Sequence, residues 1–170
     1  MGLSRSEKTR RTVLCGILTA AAFVLGYVES LLPFSVGMAG IKLGLANIVS
    51  LYALYTLGAG TAFGVLLARI FLSAVTFGNM SALLYSLVGG ILSFGVMWLL
   101  KKTGKFSAVG VGIAGGVFHN VGQVLVASVM LGRALWAYLP VLLLSGSIAG
   151  CAVGVAAAAA VKHLKGVWKQ

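Results

Sequence analysis

The sequence predicts an all-α integral membrane protein: six transmembrane helices in one bundle, multi-pass in a prokaryotic cell membrane, with both termini cytoplasmic. Three observations carry this expectation. The 170 residues are 60% hydrophobic and only 9% charged, too apolar to cover a soluble core with polar surface. The apolar residues fall in runs long enough to cross a bilayer, separated by short breaks rich in glycine, proline or lysine. Ten of the thirteen basic residues form three clusters at the ends of those runs: Arg5, Lys8, Arg10 and Arg11; Lys101, Lys102 and Lys105; Lys162, Lys165 and Lys169. Six spans put all three on one side, as the positive-inside bias requires. The net charge of +11 therefore reads as membrane orientation. A nucleic-acid partner is not expected, because such a footprint needs a solvated basic scaffold.

Met1–Thr12 is a basic cytoplasmic leader. The first helix, about Val13–Leu32, is too long for a signal-peptide core, and Glu29 and Pro33 stand where a small-residue cleavage site would be. Its Ala22 and Gly26 form a small-xxx-small face on which another helix can lie closely. After the loop 33–40, helix 2 runs from Ile41 to about Leu57, and Gly58-Ala59-Gly60 turns the chain into helix 3, Thr61–Phe77. Gly78-Asn79-Met80 leads into helix 4, Ser81–Leu100. The hydrophilic stretch Lys101–Lys105 is the clearest internal boundary. Helix 5, about Ser107–Leu131, carries Gly112-xxx-Gly116; helix 6, about Trp136–Val161, carries Gly146-xxx-Gly150-xxx-Gly154. These motifs favour close helix packing. Residues 162–170 are a basic cytoplasmic tail. There is no internal repeat of the kind that builds inverted transporter architectures.

Arg69 interrupts the otherwise apolar helix 3, eight residues from either end of 61–77. Such a helix places the guanidinium about 12 Å from each boundary, and snorkelling covers only part of that distance. A mid-membrane charge costs about 3 kcal/mol or more and faces a protein interior or a wet cavity. The remaining polar residues sort around it by depth. Glu29 ends helix 1, Lys42 opens helix 2, and Asn47 lies about 7 Å deeper. His119 is near the midplane of helix 5, with Asn120 and Gln123 on its outward side, and His119 and Gln123 share a face. With Asn79 in the outer turn, these positions mark a pocket open to the outside. Each also has a plainer reading: Lys42 and Glu29 as interface residues, Asn47, Asn120 and Gln123 as interhelical glue, His119 as a packing residue, and Arg69 as held by backbone carbonyls.

Catalytic constellations are missing from the sequence. There is no aspartate, and Glu7 and Glu29 are expected on opposite sides of the membrane, so no acidic cluster can hold Mg²⁺ against a diphosphate. No Ser/His/Asp triad and no nucleotide-binding glycine loop can be assembled. Cys15 and Cys151 have neither metal-ligand spacing nor a location that favours a disulfide. The expectation is a protein that is not an enzyme and needs no cofactor or metal.

Two stretches carry a family resemblance: GIKLGLANIVSLYAL at 40–54 and the arginine-bearing ARIFLSAVTFGN at 68–79. They resemble the small membrane family called Gx transporters, also labelled heptaprenyl diphosphate synthase component I, and the likeness runs from helix 1 to helix 6. That family is in turn similar to the substrate-binding S components of energy-coupling-factor (ECF) vitamin transporters. The resemblance implies an outward pocket for a small anionic or amphipathic compound, with an isoprenoid or quinone precursor suggested by the label. Ala22 and Gly26 would then dock on a coupling membrane protein driven by ATPase subunits. It also permits two other functions. One is a quinone-binding or accessory component of membrane or extracellular electron transfer, with Arg69 and His119 on a quinone oxygen. The other is a non-catalytic component of heptaprenyl diphosphate synthesis.

Overall fold

A computed structural model describes residues 4–31 and 44–164, which form helices without strands. The elements are α1 (Arg5–Leu31), α2 (Asn47–Thr56), α3 (Ala59–Thr76), α4 (Met80–Thr103), α5 (Ala108–Leu131) and α6 (Leu139–Leu164), with a 3₁₀ segment Arg133–Tyr138 before α6. The expected loop 33–40, Lys42 and the tail beyond Leu164 lie outside the described residues.

The helix ends follow from local chemistry. Ser4 and Glu7 form a reciprocal capping box: the Ser4 N–H donates to Glu7 Oε2 at 2.7 Å and the Glu7 N–H to Ser4 Oγ at 3.2 Å. Two orphan amides are thereby satisfied, and α1 starts at Arg5. Residues 5–12 of the expected leader are thus the first turns of α1. Asn79 Oδ1 accepts from the Ala82 N–H at 2.8 Å to start α4, and Gly104 at φ +69° ends it. Ser107 Oγ then accepts from the Gly110 N–H at 3.2 Å and opens α5. Pro140 stands in the first turn of α6, where its missing N–H costs nothing.

Among the described residues five stretches are long and apolar enough to cross a membrane: α1, α3, α4, α5 and the 3₁₀–α6 segment. The sixth expected span differs. A helix from Ile41 cannot run through Gly44, whose φ of +81° is left-handed, and Leu45 and Ala46 form a turn before α2 begins. The ten residues of α2 cover about 15 Å, half of a hydrocarbon core of about 30 Å.

This short helix occupies the interior. Helices α1, α3, α4, α5 and α6 follow one another in contact, and α2 touches α1, α3, α4 and α6. Residues Val49 to Leu54 of α2 are all buried, so the helix shows no polar face, as expected of an element enclosed by others. Leu51 and Leu54 meet Leu66 and Ile70 of α3, Phe94 and Met97 of α4, and Val153 and Ala157 of α6 in one apolar cluster. The glycine motifs of α5 and α6 face each other: a Cβ on Gly112 would lie 2.6 Å from Gly154 Cα, and one on Gly150 would lie 2.8 Å from Ile113 Cα. Only hydrogen at these positions permits so close a crossing.

The C-terminal end of α2 gathers the basic clusters. Arg11 Nη2 donates to the Leu57 carbonyl at 3.2 Å, and Lys101 Nζ donates to the Leu54 carbonyl at 2.5 Å. Both cations satisfy carbonyls that a helix end leaves open and complement its negative pole. Lys162 follows Ala157, a neighbour of Leu54 in the apolar cluster, so all three clusters have members at this end of the bundle.

Candidate functional site

At the opposite end of α2 the chain reversal builds a polar centre. Gly44 adopts its left-handed turn and aims its N–H at the carboxylate of Glu29, to which it donates. The Asn47 N–H bonds back to the Gly44 carbonyl at 2.8 Å, which fixes Asn47 at the first position of α2. Its Oδ1 accepts from Arg69 Nη2 at 3.0 Å. Helices α1, α2 and α3 thus converge through Glu29, Asn47 and Arg69, all buried. The Glu29 carboxylate is the opposite charge that acts on Arg69, and it also faces the positive pole of α2. Arg69 is 9% exposed, yet among the described residues its Nε–H has no hydrogen-bond acceptor.

Helix α5 contributes His119, Asn120 and Gln123, each buried. The imidazole of His119 lies over Gly89 of α4, where a Cβ would come within 3.1 Å of Nδ1. Asn120 is committed to helix packing, its Nδ2 donating to the Leu142 carbonyl of α6 at 2.7 Å. Gln123 is different: neither its Nε2 nor its Oε1 has a hydrogen-bond partner among the described residues, although the side chain is only 6% exposed. A buried amide without partners costs about 1–3 kcal/mol, which makes Gln123 and Arg69 Nε the places where a polar guest would be most favoured.

The helices that hold these groups are in register. Gly90 of α4 meets Ile70 and Leu66 of α3, while the adjacent Gly89 meets His119 and Gly122 of α5. Arg69 and His119 therefore sit at a similar level on either side of α4. Asn47 also lines a small void with Gly115 and Gly116 of α5, one turn before His119 and Asn120 along that helix.

Several expected positions fall elsewhere. Asn79 is exposed and caps α4, so its side-chain oxygen is already engaged outside the cluster. Lys42 lies outside the described residues. Ala22 is fully buried, and a Cβ on Gly26 would lie 3.7 Å from Ser73 Oγ of α3. That small face is therefore covered within the chain. The small residues that α1 leaves exposed are Gly16, Ala20 and Ala21. Two buried serines went unread in the sequence: Ser93, which donates to the Gly115 carbonyl at 2.8 Å, and Ser50, whose Oγ has no partner among the described residues. Ser50 follows Asn47 by three residues, the helical spacing that could have singled it out.

Among the described residues no three His, Cys, Asp or Glu side chains converge on a metal position. Fold and site together define a class: an all-helical, membrane-type protein in which a buried arginine of α3 meets Glu29 of α1 and Asn47 of α2. The family model of heptaprenyl diphosphate synthase component I matches residues 18–160, and the chain belongs to that family, in keeping with the resemblance of its 40–54 and 68–79 stretches. The chain has no aspartate and two glutamates. No curated protein and no solved structure matches it.

Proposed function

We propose that the chain is the substrate-binding membrane subunit of an ECF-like uptake transporter, with Arg69 as the group that recognises an acidic substituent on a small anionic or amphipathic compound. The observation that carries this reading is the buried guanidinium of Arg69, bonded to Asn47 through Nη2 while its Nε–H lacks an acceptor among the described residues. A carboxylate or phosphate could take Nε–H in the side-on, two-bond geometry that guanidinium groups favour. Gln123, with both amide atoms unpartnered, would bond a second polar group of the same compound. Glu29 compensates Arg69, and Lys42, two residues before Gly44 in sequence, would make the site net cationic. An S-component-like arrangement with cytoplasmic termini, in which the short α2 serves as the sixth crossing, is part of this proposal. So is a coupling membrane protein with ATPase subunits, which would meet α1 through exposed Gly16 and Ala20, since Ala22 and Gly26 are covered.

The family label favours a second reading: a non-catalytic partner in heptaprenyl diphosphate synthesis, with the same arginine on a diphosphate. Mass spectrometry of small molecules co-purified in mild detergent separates the two. A prenyl diphosphate retained together with a soluble synthase subunit supports the second; any other acidic metabolite supports the first.

The Arg69→Gln variant tests the shared premise. It deletes a mid-membrane charge while keeping hydrogen-bond donors, so the bound compound is expected to be lost with thermal stability unchanged or raised. Arg69→Lys is expected to fail as well, because a point charge cannot supply the two-bond fork. An Arg69→Gln protein that melts several degrees lower yet still carries the compound would make Arg69 a structural residue and end the proposal.

A further inference from the structure

The end of the bundle opposite the arginine cluster holds a second built feature. A cavity of about 180 Å³ is lined by Leu54, Ala59, Trp98, Lys101 and Lys102. Leu54, near the C-terminal end of α2, lines it, and Lys101 donates one of its three ammonium hydrogens to the Leu54 carbonyl while lying 5.0 Å from the centre of the Tyr55 ring. Lys102 lines the same cavity, its Nζ 5.6 Å from the centre of the Trp98 indole, and it is exposed. The only carboxylate in the sequence besides Glu29 is Glu7, which is engaged in capping α1. Arg11 adds a further cation at the same helix end. This end therefore carries several cations against the single carboxylate of Glu7.

We infer that this cavity is a binding site for one anionic phospholipid, with Lys102 and Lys101 facing its phosphodiester and Trp98 facing the glycerol and upper acyl region. Charge complementarity supplies the first argument, since basic pockets between membrane helices take acidic head groups. Position supplies the second. Trp98 and Leu99 are 41% and 55% exposed and lie within a turn of the lysines on a helix long enough to cross a membrane. An aromatic ring beside lysines at the end of such a helix sits at head-group level, with apolar surface next to it for acyl chains. A free phosphate would use the cations alone and leave that apolar flank unused. The inference does not depend on the uptake reading, because it requires only that α4 spans a bilayer.

The test places the protein in nanodiscs, with Trp136→Phe and Trp168→Phe so that Trp98 is the sole reporter. Brominated phosphatidylglycerol or brominated phosphatidylcholine is then titrated into a zwitterionic background, and quenching of Trp98 is read. Brominated phosphatidylglycerol is expected to quench half-maximally at several-fold lower mole fraction. Lys102→Gln is expected to reduce that preference about fivefold, the equivalent of about 1 kcal/mol per lysine at an acidic surface. Lys105→Gln, an exposed lysine outside the cavity, serves as the control and leaves the preference within twofold. Equal quenching by the two lipids, or an equal loss in both variants, overturns the site in favour of a diffuse surface potential. Relief of quenching by millimolar inorganic phosphate overturns the lipid as occupant in favour of a soluble phosphate.

Discussion

Replacing Gly112 by alanine tests whether the α5–α6 glycine crossing sets the geometry of the bundle. The added Cβ would lie 2.6 Å from Gly154 Cα, 2.7 Å from the Gly150 carbonyl oxygen and 2.8 Å from Gly154 N. Carbon atoms at rest stay about 3.5–4 Å apart, so the shortfall is about 1 Å. Every atom met is backbone, and no side chain can swing aside. The two helix axes must part, which also loosens the reciprocal contacts of Gly116 on Gly150 and of Gly154 on Val109. Overpacking of this kind costs about 1–3 kcal/mol. Alanine's better helix propensity returns at most about 1 kcal/mol. A net loss of about 1–2 kcal/mol corresponds to a fall in Tm of about 2–8 °C for a chain of this size. Gly16→Ala is the paired control, since nothing lies within 4 Å of a Cβ there; it is expected to hold or raise Tm. The assay is thermal unfolding in mild detergent, followed by far-ultraviolet circular dichroism. If Gly112→Ala melts at or above the wild-type temperature, the close crossing is not a structural requirement and the reasoning fails.

Two further outcomes are expected. Cysteine at Ala134 should react with an impermeant thiol reagent on intact cells while cysteine at Thr103 should not; labelling of Thr103 from outside would reverse the orientation. Ala134 is preferred to Gly132 because Gly132 has φ +102°, a conformation that side chains rarely adopt. Asn79→Ala should lower stability by about 1 kcal/mol, the usual cost of a lost helix cap, with ligand retention unchanged, and loss of the co-purified compound would return Asn79 to the binding site.

How much of this was legible in the sequence depended on whether the signal was local. Arg69 was readable because one charge in an apolar run has few places to go, and it is indeed buried on Asn47. The boundary at 101–107 was readable because Gly104 and Ser107 are stop and start residues, and both act as such. The Ser4–Glu7 capping box was equally local, but four cations in twelve residues drew the reading toward an extended leader. The shortness of α2 was not readable. Its residues are apolar on every side, so periodicity reports nothing, and a single glycine such as Gly44 is tolerated inside many helices. The inner face of α1 was ambiguous for a related reason. Small residues lie on both sides of it, and only the tertiary contact of Ala22 and Gly26 with the interior distinguishes them from exposed Gly16 and Ala20.

The depth of Arg69 is therefore a property of the whole assembly and not of α3 alone. A ten-residue apolar helix inside a bundle has no polar face to fix its height, and sliding by one turn would still bury leucine against leucine. Its two poles supply the missing constraint. At the N-terminal end the Glu29 carboxylate takes the Gly44 N–H; at the C-terminal end Lys101 and Arg11 take the carbonyls of Leu54 and Leu57. Each charge matches the sign of the helix pole it faces, and such contacts contribute about 0.3–1 kcal/mol each, up to about 2 when partly buried. A slide of one turn, about 5.4 Å, would break all three at once. With α2 held axially, Asn47 is held too, and the bond from Asn47 Oδ1 fixes where the guanidinium of Arg69 ends its reach. Glu29 thus acts on the arginine twice: directly as the opposite charge, and through α2 as the anchor of the residue that Arg69 grips.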